Sequence, residues 1–286
     1  MKRILITGSE GQLGKTFRKI SSNRSLGYEF IFTDLFELDI TDIESIRTYC
    51  KSKSIDFLIN CAAYTAVDQA EEDAENAYLI NSTGVSNLAT VCEELDIFMV
   101  HISTDYVFDG DFDIPIEDSV PHPQSVYGAS KLSGEEKMKA SGVNGIIIRT
   151  SWLYSEFGNN FVFTILRLAR EREKISVVDD QIGSPTNSTD LAEVILQFLE
   201  KSEKIVGCEI FHYSNMGRCS WYEFAQYIVK KKGLTCVIEA ISTEEYPQKA
   251  KRPHNSVLHK SKMINFLETV PPNWEDSLDK VLSYID

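Results

Sequence analysis

The sequence predicts an α/β fold: a doubly wound parallel sheet with helices on both faces, followed by a smaller C-terminal α/β region. Three observations lead there. Short apolar runs alternate with amphipathic stretches of helical length through the first half of the chain. A glycine-spaced turn joins the first run to the first helix-like stretch. After residue 151 the alternation gives way to a different rhythm.

Taken in order, the apolar runs are "RILIT" (3–7), "YEFIFTD" (28–34), "DFLINCAA" (56–63), "IFMVHIST" (97–104) and "GIIIRTS" (145–151). They are rich in β-branched and aromatic residues and lack period-two alternation, as strands buried on both faces should. The stretch "TDIESIRTYCKSK" opens with a T-x-x-E capping box, Thr41 to Glu44, which predicts a helix start. Further on, "NNFVFTILRLAREREK" (159–174) has strong helical amphipathicity and precedes a turn-prone polar run. A helix near 189–202, a strand around 209–215 and a second capping box, Ser220 to Glu223, follow. This predicts one unit from 1–151 plus returning segments near 180–220, and a second from 152–179 and about 221–286. No linker separates them, so the second is expected to pack closely on the first.

With 286 residues there is ample material for a core, and a formal charge of −14 excludes a lysine- and arginine-rich nucleic-acid face. The six cysteines are scattered, without a C-x-x-C pair, and fit reduced thiols better than a disulfide framework. No metal-ligand cluster is legible among the cysteines and the five histidines, so no metal is expected. The amino-terminal apolar run stops after three residues, and no longer run spans a bilayer; the expectation is a cytoplasmic protein.

Directly after the first strand, "TGSEGQLGKTF" spaces Gly8, Gly11 and Gly14 as G-x-x-G-x-x-G. Glycine there permits a tight turn, close approach of a pyrophosphate and close helix–strand packing, while the helix N-terminus offers free N–H groups. A glycine triplet alone is weak evidence; between a strand and a helix it marks a Rossmann-type doubly wound parallel sheet with a dinucleotide site. Asp34 ends the next strand, where a carboxylate can accept from an adenosine ribose. It also favours NAD over NADP, whose 2′-phosphate it repels. As a lone residue it reads first as a strand-end turn former; combined with the glycines, the ribose reading prevails.

Ligands of such sheets gather at the carboxyl ends of the strands, which puts Ser103, Thr104 and Asp105 beside a nicotinamide. Tyr127 and Lys131 follow in "YGASK", one helical turn apart. A phenol with an ordinary pKa of about 10 transfers protons poorly near neutrality. A neighbouring ammonium, together with the positive nicotinamide ring, is expected to lower that value, making Tyr127 a proton donor to a nascent alkoxide.

These motifs, "TGSEGQLG", "STDYVFDG" and "YGASKLSGE", resemble the extended short-chain dehydrogenase/reductase superfamily. More closely, the chain is similar to the dTDP-4-dehydrorhamnose reductase family, through "NCAAYTAVDQAEEDAENAYLIN", "RTSWLY", "DQIGSPT" and "RPHNSVLHKSK". The resemblance implies NADH or NADPH as cofactor, a nucleotide-sugar substrate, and reduction of a C4 ketone. It implies Tyr127 as proton donor, Lys131 as its cofactor-binding partner and Thr104 as the residue that tunes the phenol. Gly11, Gln12 and Leu13 would form the pyrophosphate turn with Gly8 and Gly14. Asp34, Asp39, Ile40, Ala62, Ala63 and Tyr64 would contact the adenosine and adjoining parts. Thr104, Asp105 and Trp152 would contact substrate. For Trp152, a core position is nearly as plausible on composition. Arg252 suits a diphosphate or, at equal odds, the surface.

Some members dimerise through a metal held by glutamates, including one early in the first helix. Here that stretch reads "GKTFRKI", without a carboxylate, so a homodimer would need another interface. Two alternatives stay open: a 4-epimerase of the same superfamily, and a non-catalytic subunit like the methionine adenosyltransferase β-subunit. A 4,6-dehydratase is disfavoured, because Asp105 is followed by Tyr106 rather than a second carboxylate. The polar loop between Asp109 and Gln124 is a candidate cover for the substrate.

Overall fold

The computed structural model describes residues 1–23, 27–110 and 114–285, so part of the 109–124 loop lies outside the described residues. In chain order the first half runs β1 (Lys2–Thr7), α1 (Gln12–Asn23), β2 (Tyr28–Phe32), α2 (Ile43–Lys53) and β3 (Phe57–Asn60). It continues with α3 (Val67–Ala70), α4 (Ala74–Tyr78), α5 (Val85–Glu94), β4 (Phe98–Thr104), α6 (Val126–Ala140) and β5 (Gly145–Thr150). The second half holds β6 (Leu153–Tyr154), α7 (Phe161–Glu171), β7 (Lys174–Val178), β8 (Ile182–Gly183), β9 (Thr186–Asn187) and α8 (Ser188–Glu200). Last come β10 (Cys208–Tyr213), β11 (Cys219–Ser220), α9 (Trp221–Lys231), β12 (Val237–Ile241), α10 (Ser261–Leu267) and α11 (Trp274–Leu282).

Six strands form one sheet in the order β10-β5-β4-β3-β1-β2, every neighbour parallel. The chain leaves β1 to one side for β2 and returns to the other side for β3. That reversal opens a crevice at the carboxyl ends of β1 and β3, where doubly wound sheets bind ligands.

Alternate residues of each strand feed two separate cores. Ile4, Ile6, Ile59, Val100, Ile146 and Ile148 pack with α1 and α8 on one face. Leu5, Leu58, Met99 and Ile147 pack with α2, α5 and Met138 of α6 on the other. Burial on both faces is why the strands show no polar alternation. Leu13, Phe17 and Ile20 of α1 share one helical stripe and are buried in the first of these cores, each burial contributing about 1.5–3 kcal/mol.

A third core gathers Tyr154, Val162, Ile165, Phe224, Ile228, Trp274 and Leu278 around the parallel pair β7–β12. The Thr16 and Ser188 hydroxyls, 2.7 Å apart, tie α1 to α8. Between the two halves, Arg252 Nη2 donates to Asp68 Oδ2 at 2.8 Å.

The first predicted capping box is off by one residue. Thr41 donates its hydroxyl to Asp39 instead, and Asp42 caps α2 by accepting from the Glu44 and Ser45 N–H groups. The second box, Ser220 with Glu223, is present. Among the described residues no helix is long and apolar enough to cross a membrane. The six cysteines are free thiols.

Candidate active site

A cavity of about 510 Å³ opens where the sequence places the chemistry. Its walls come from the glycine turn (Gly8, Gly11, Gln12, Leu13), from Cys61 and Ala63 after β3, and from Ile102 to Tyr106 at the end of β4. Tyr127 and Lys131 of α6 and the stretch 150–153 with Gly158 and Asn159 complete it. The second half of the chain thus supplies one side of the cleft.

The turn is built as its glycines require. Gly8 sits at φ +62°, and a Cβ there would lie 2.6 Å from the Ala62 backbone. A Cβ on Gly14 would lie 2.5 Å from Ser9 Cα, so this glycine serves close helix–turn packing rather than the cavity wall. The Gly11 N–H donates to Gly8 O at 3.1 Å, and α1 begins at the next residue. The result is an open concave backbone at a helix N-terminus, a shape and polarity that fit a dinucleotide pyrophosphate. Gln12 also reaches across the cleft, accepting through Oε1 from Ser155 Oγ at 3.0 Å and Asn160 Nδ2 at 3.1 Å.

Asp34, Asp39, Ile40, Ala62 and Tyr64 are not part of this wall. Asp34 Oδ2 accepts from the Glu10 N–H at 2.9 Å, so its carboxylate steadies the glycine turn from the side. Asp39 accepts from Thr41, Ile40 is buried against the Gly84 position, and Ala62 lies against Gly8. The Tyr64 backbone is clasped by the Asn81 carboxamide, at 2.9 and 3.0 Å.

Ser125 caps α6 by accepting from the Gly128 N–H, and this sets Tyr127 in the first turn at the cavity edge. The Thr104 hydroxyl hydrogen-bonds the Tyr127 phenol and lies 3.1 Å from Asp105 Oδ1. The Tyr106 ring meets Tyr127 edge-on at 5.5 Å. Contrary to the expected lowering, burial pushes the Tyr127 phenol up to about 12, and the Asp105 charge adds to the rise while the Thr104 hydrogen bond opposes it. Lys131 is not among the groups that oppose this rise. Its Nζ donates to Ile102 O at 2.6 Å, and burial lowers its own pKa to about 8, which weakens the ammonium as a partner for the phenol. A phenol held protonated is the form that can donate.

Asp105 is buried, with Oδ2 lacking a hydrogen-bond partner, and burial raises its carboxyl to about 6. An acceptor of this kind at a cavity wall suits a ligand hydroxyl. Trp152 is partly buried at the edge of the third core, at φ +49°, stacked on Trp221 at 3.5 Å and pressed on Gly183. With its ring held between Trp221 and Gly183, it lines the cavity. Arg252 departs from the expected grouping. It lines a second cavity of about 670 Å³ with Phe161, Trp221, Tyr246 and Gln248. Its guanidinium pairs with Asp68 and hydrogen-bonds Tyr106, so it touches the first cavity only through that tyrosine.

Sequence reasoning missed the buried polar groups behind α6. Glu135, two turns after Tyr127, accepts from Arg149 Nε and Nη2 at 3.0 and 2.7 Å and from Ser103 Oγ. Both members of this ion pair are buried. The available signal was polar residues at inward strand positions, namely Asn60, His101, Ser103 and Arg149 inside otherwise apolar runs. Among the described residues no group of three or more His, Cys, Asp or Glu side chains could hold a metal.

A six-stranded parallel sheet with a glycine turn, and a Thr–Tyr–Lys set facing one cleft, defines a short-chain dehydrogenase/reductase-type nucleotide-binding oxidoreductase. The model of the RmlD substrate binding domain family matches residues 1–286, and the chain belongs to that family. It is 40% identical over 295 residues to a dTDP-4-dehydrorhamnose reductase of Aggregatibacter actinomycetemcomitans, covering 100% of both chains. The crystal structure of a dTDP-4-dehydrorhamnose reductase from Clostridium acetobutylicum superposes with a TM-score of 0.93, at 40% identity and 99% coverage of both chains. That of the Bacillus anthracis enzyme, in complex with NADP, gives 0.93 at 40% identity, covering 99% of this chain and 100% of that one.

Proposed function

We propose that the protein uses NADH or NADPH to reduce the C4 ketone of dTDP-4-dehydro-L-rhamnose to dTDP-L-rhamnose. The observation that carries this reading is the gathering of Thr104, Tyr127 and Lys131 with the glycine turn around one cavity, the phenol held in its proton-bearing form. The reductase relatives and the NADP complex of the Bacillus anthracis enzyme support it.

When bound, the reduced nicotinamide supplies the hydride equivalent for the ketone carbon. Tyr127 gives its proton to the ketone oxygen, and Thr104 orients the phenol through their hydrogen bond. Lys131 lines the same cavity and holds cofactor hydroxyls. The unpartnered Asp105 oxygen accepts from a sugar hydroxyl, and Trp152 packs against the deoxysugar face. Gly8, Gly11, Gln12 and Leu13 carry the pyrophosphate, while Gly14 shapes the turn. Asp34, Asp39, Ile40, Ala62, Ala63 and Tyr64 frame the adenosine side. Arg252 acts on substrate through Tyr106, or on its diphosphate from the neighbouring cavity. Residues 1–151 with the returning segments near 180–220 form the dinucleotide unit, and 152–179 with about 221–286 the substrate unit. The protein works in the cytoplasm.

The purified chain, given NADH or NADPH and enzymatically generated dTDP-4-dehydro-L-rhamnose, should lose absorbance at the reduced-nicotinamide band as dTDP-L-rhamnose forms. A sugar product made without net cofactor loss would indicate the epimerase. Cofactor binding without turnover would indicate a regulatory subunit.

A further inference from the structure

At its carboxyl end, the sheet face beneath α6 changes character. Leu58 and Met99 give way, two residues on, to Asn60 and His101, while Leu5 gives way to Thr7. Thr7 is the direct register partner of Asn60, and Asn60 of His101. All three are buried, and their side chains form a row that ends on Lys131.

The row has one permitted sense. Asn60 Oδ1 takes the Thr7 hydroxyl at 2.7 Å and the Ala62 N–H at 3.2 Å. A backbone N–H only donates, so the carboxamide oxygen must face that side and its NH2 must face His101 Nδ1, 3.1 Å away. That nitrogen is therefore a lone-pair acceptor. Complete burial and the nearby lysine keep the ring neutral, its pKa well below the ordinary value. Its one proton is then on Nε2, which faces Lys131 Nζ at 3.4 Å. An ammonium has three protons and no lone pair, whereas a neutral amine has one lone pair to receive this N–H. The same Nζ donates to Ile102 O at 2.6 Å, which an amine does equally well.

We infer that His101 is a positioning residue, fixed as its Nε2–H tautomer by Asn60 and Thr7, that hydrogen-bonds to Lys131 and favours the neutral amine of that lysine in the cofactor-free protein. The inference deepens the proposed reading, in which Lys131 serves the cofactor, but it concerns the protein without cofactor or substrate. Other groups around Lys131 do not supply this effect. Tyr127 and Glu135 lie one turn to either side on α6; Glu135 is matched by Arg149 of β5 and its charge favours the ammonium. Cys61, after β3, is pushed up to about 12 by burial. Asp105, after β4, acts on Tyr127. Burial lowers Lys131 in any case, to about 8; the hydrogen bond from His101 is inferred to lower it further.

The test uses the full-length cofactor-free protein and nuclear magnetic resonance. Long-range 15N–1H correlation of the histidine rings, with His101 told apart from the equally buried His212 through His101→Gln, should show a His101 ring with protonated Nε2 and bare Nδ1, unchanged from pH 6 to 9. Lysine Cε resonances, assigned through Lys131→Met, should give a Lys131 midpoint below the value of about 8 that burial alone sets. His101→Gln can accept from Asn60 and donate to Lys131, and should keep that midpoint. His101→Leu should raise it by a unit or more, a tenfold gain in proton affinity. A protonated Nδ1 or an imidazolium in the unsubstituted protein would overturn the inference without any variant, as would a His101→Leu midpoint equal to that of the parent. Neither outcome bears on whether the enzyme reduces a sugar ketone, so the two readings fail separately.

Discussion

Asp105→Asn is the substitution whose effect can be worked furthest from the structure. Asp105 is buried at the cavity wall, with hydrogen bonds from Thr104 and Ser256 on one side and an unpartnered Oδ2 on the other. Desolvation raises its folded pKa from 3.8 to about 6. A raised folded pKa means that the folded state binds the proton more tightly than the unfolded chain. The stabilisation from that proton is complete below about pH 4 and is lost as pH rises through 6. That rise, from 3.8 to about 6, corresponds to about 3 kcal/mol. Asparagine carries no such charge. The stability difference between Asp105→Asn and the parent should therefore move in favour of the variant by up to about 3 kcal/mol between pH 4 and pH 7. Any constant offset from altered hydrogen bonds cancels in that comparison. Urea unfolding at half-unit pH steps measures it, and kcat/KM should fall in the same variant because the acceptor for a sugar hydroxyl is weakened. A stability difference that stays flat from pH 4 to 7 would show that Asp105 is not desolvated as described.

Three further substitutions test the frame of the site. Glu135→Gln strands the buried Arg149 charge and should destabilise the fold by roughly 3–5 kcal/mol, seen as a large drop in the urea midpoint. Gly8→Ala forces a side chain onto φ +62° and into the Ala62 backbone; it should cost at least about 1–3 kcal/mol and weaken NADPH binding tenfold or more by fluorescence titration. Trp152→Ala removes the stack on Trp221 and one wall of the cleft. It should raise KM for the sugar nucleotide about tenfold, in line with the ~1 kcal/mol of an aromatic contact plus lost burial, and leave NADPH affinity unchanged.

Most of the sheet was legible because strand positions buried on both faces leave continuous apolar runs. "GIIIRTS" and "IFMVHIST" fall on β5 and β4 within a residue at each end. Helix starts were legible where a capping pair had no competitor, as at Ser220. At Thr41 the neighbouring Asp39 captured the hydroxyl and passed the cap to Asp42, a contest that spacing alone cannot settle. The two-residue strands β6, β8, β9 and β11 are too short to carry any periodicity. For the site, the glycine turn and the Tyr127–Lys131 spacing were readable because the local chain dictates them. The raised phenol pKa was not, because it follows from burial and from the Asp105 charge, which only the folded chain brings beside it. Likewise the row from Thr7 to His101 exists only once three separate strands are set in register.

The central claim is that Tyr127 hands its proton to the substrate ketone, and Tyr127→Phe tests it most directly. With saturating NADPH and dTDP-4-dehydro-L-rhamnose, kcat should fall by at least about 10²-fold, the usual scale of a lost general acid. Cofactor affinity, measured on the same preparation, should hold. If the phenylalanine variant oxidises NADPH and forms dTDP-L-rhamnose at the parent rate, the proton comes from elsewhere and the account is wrong.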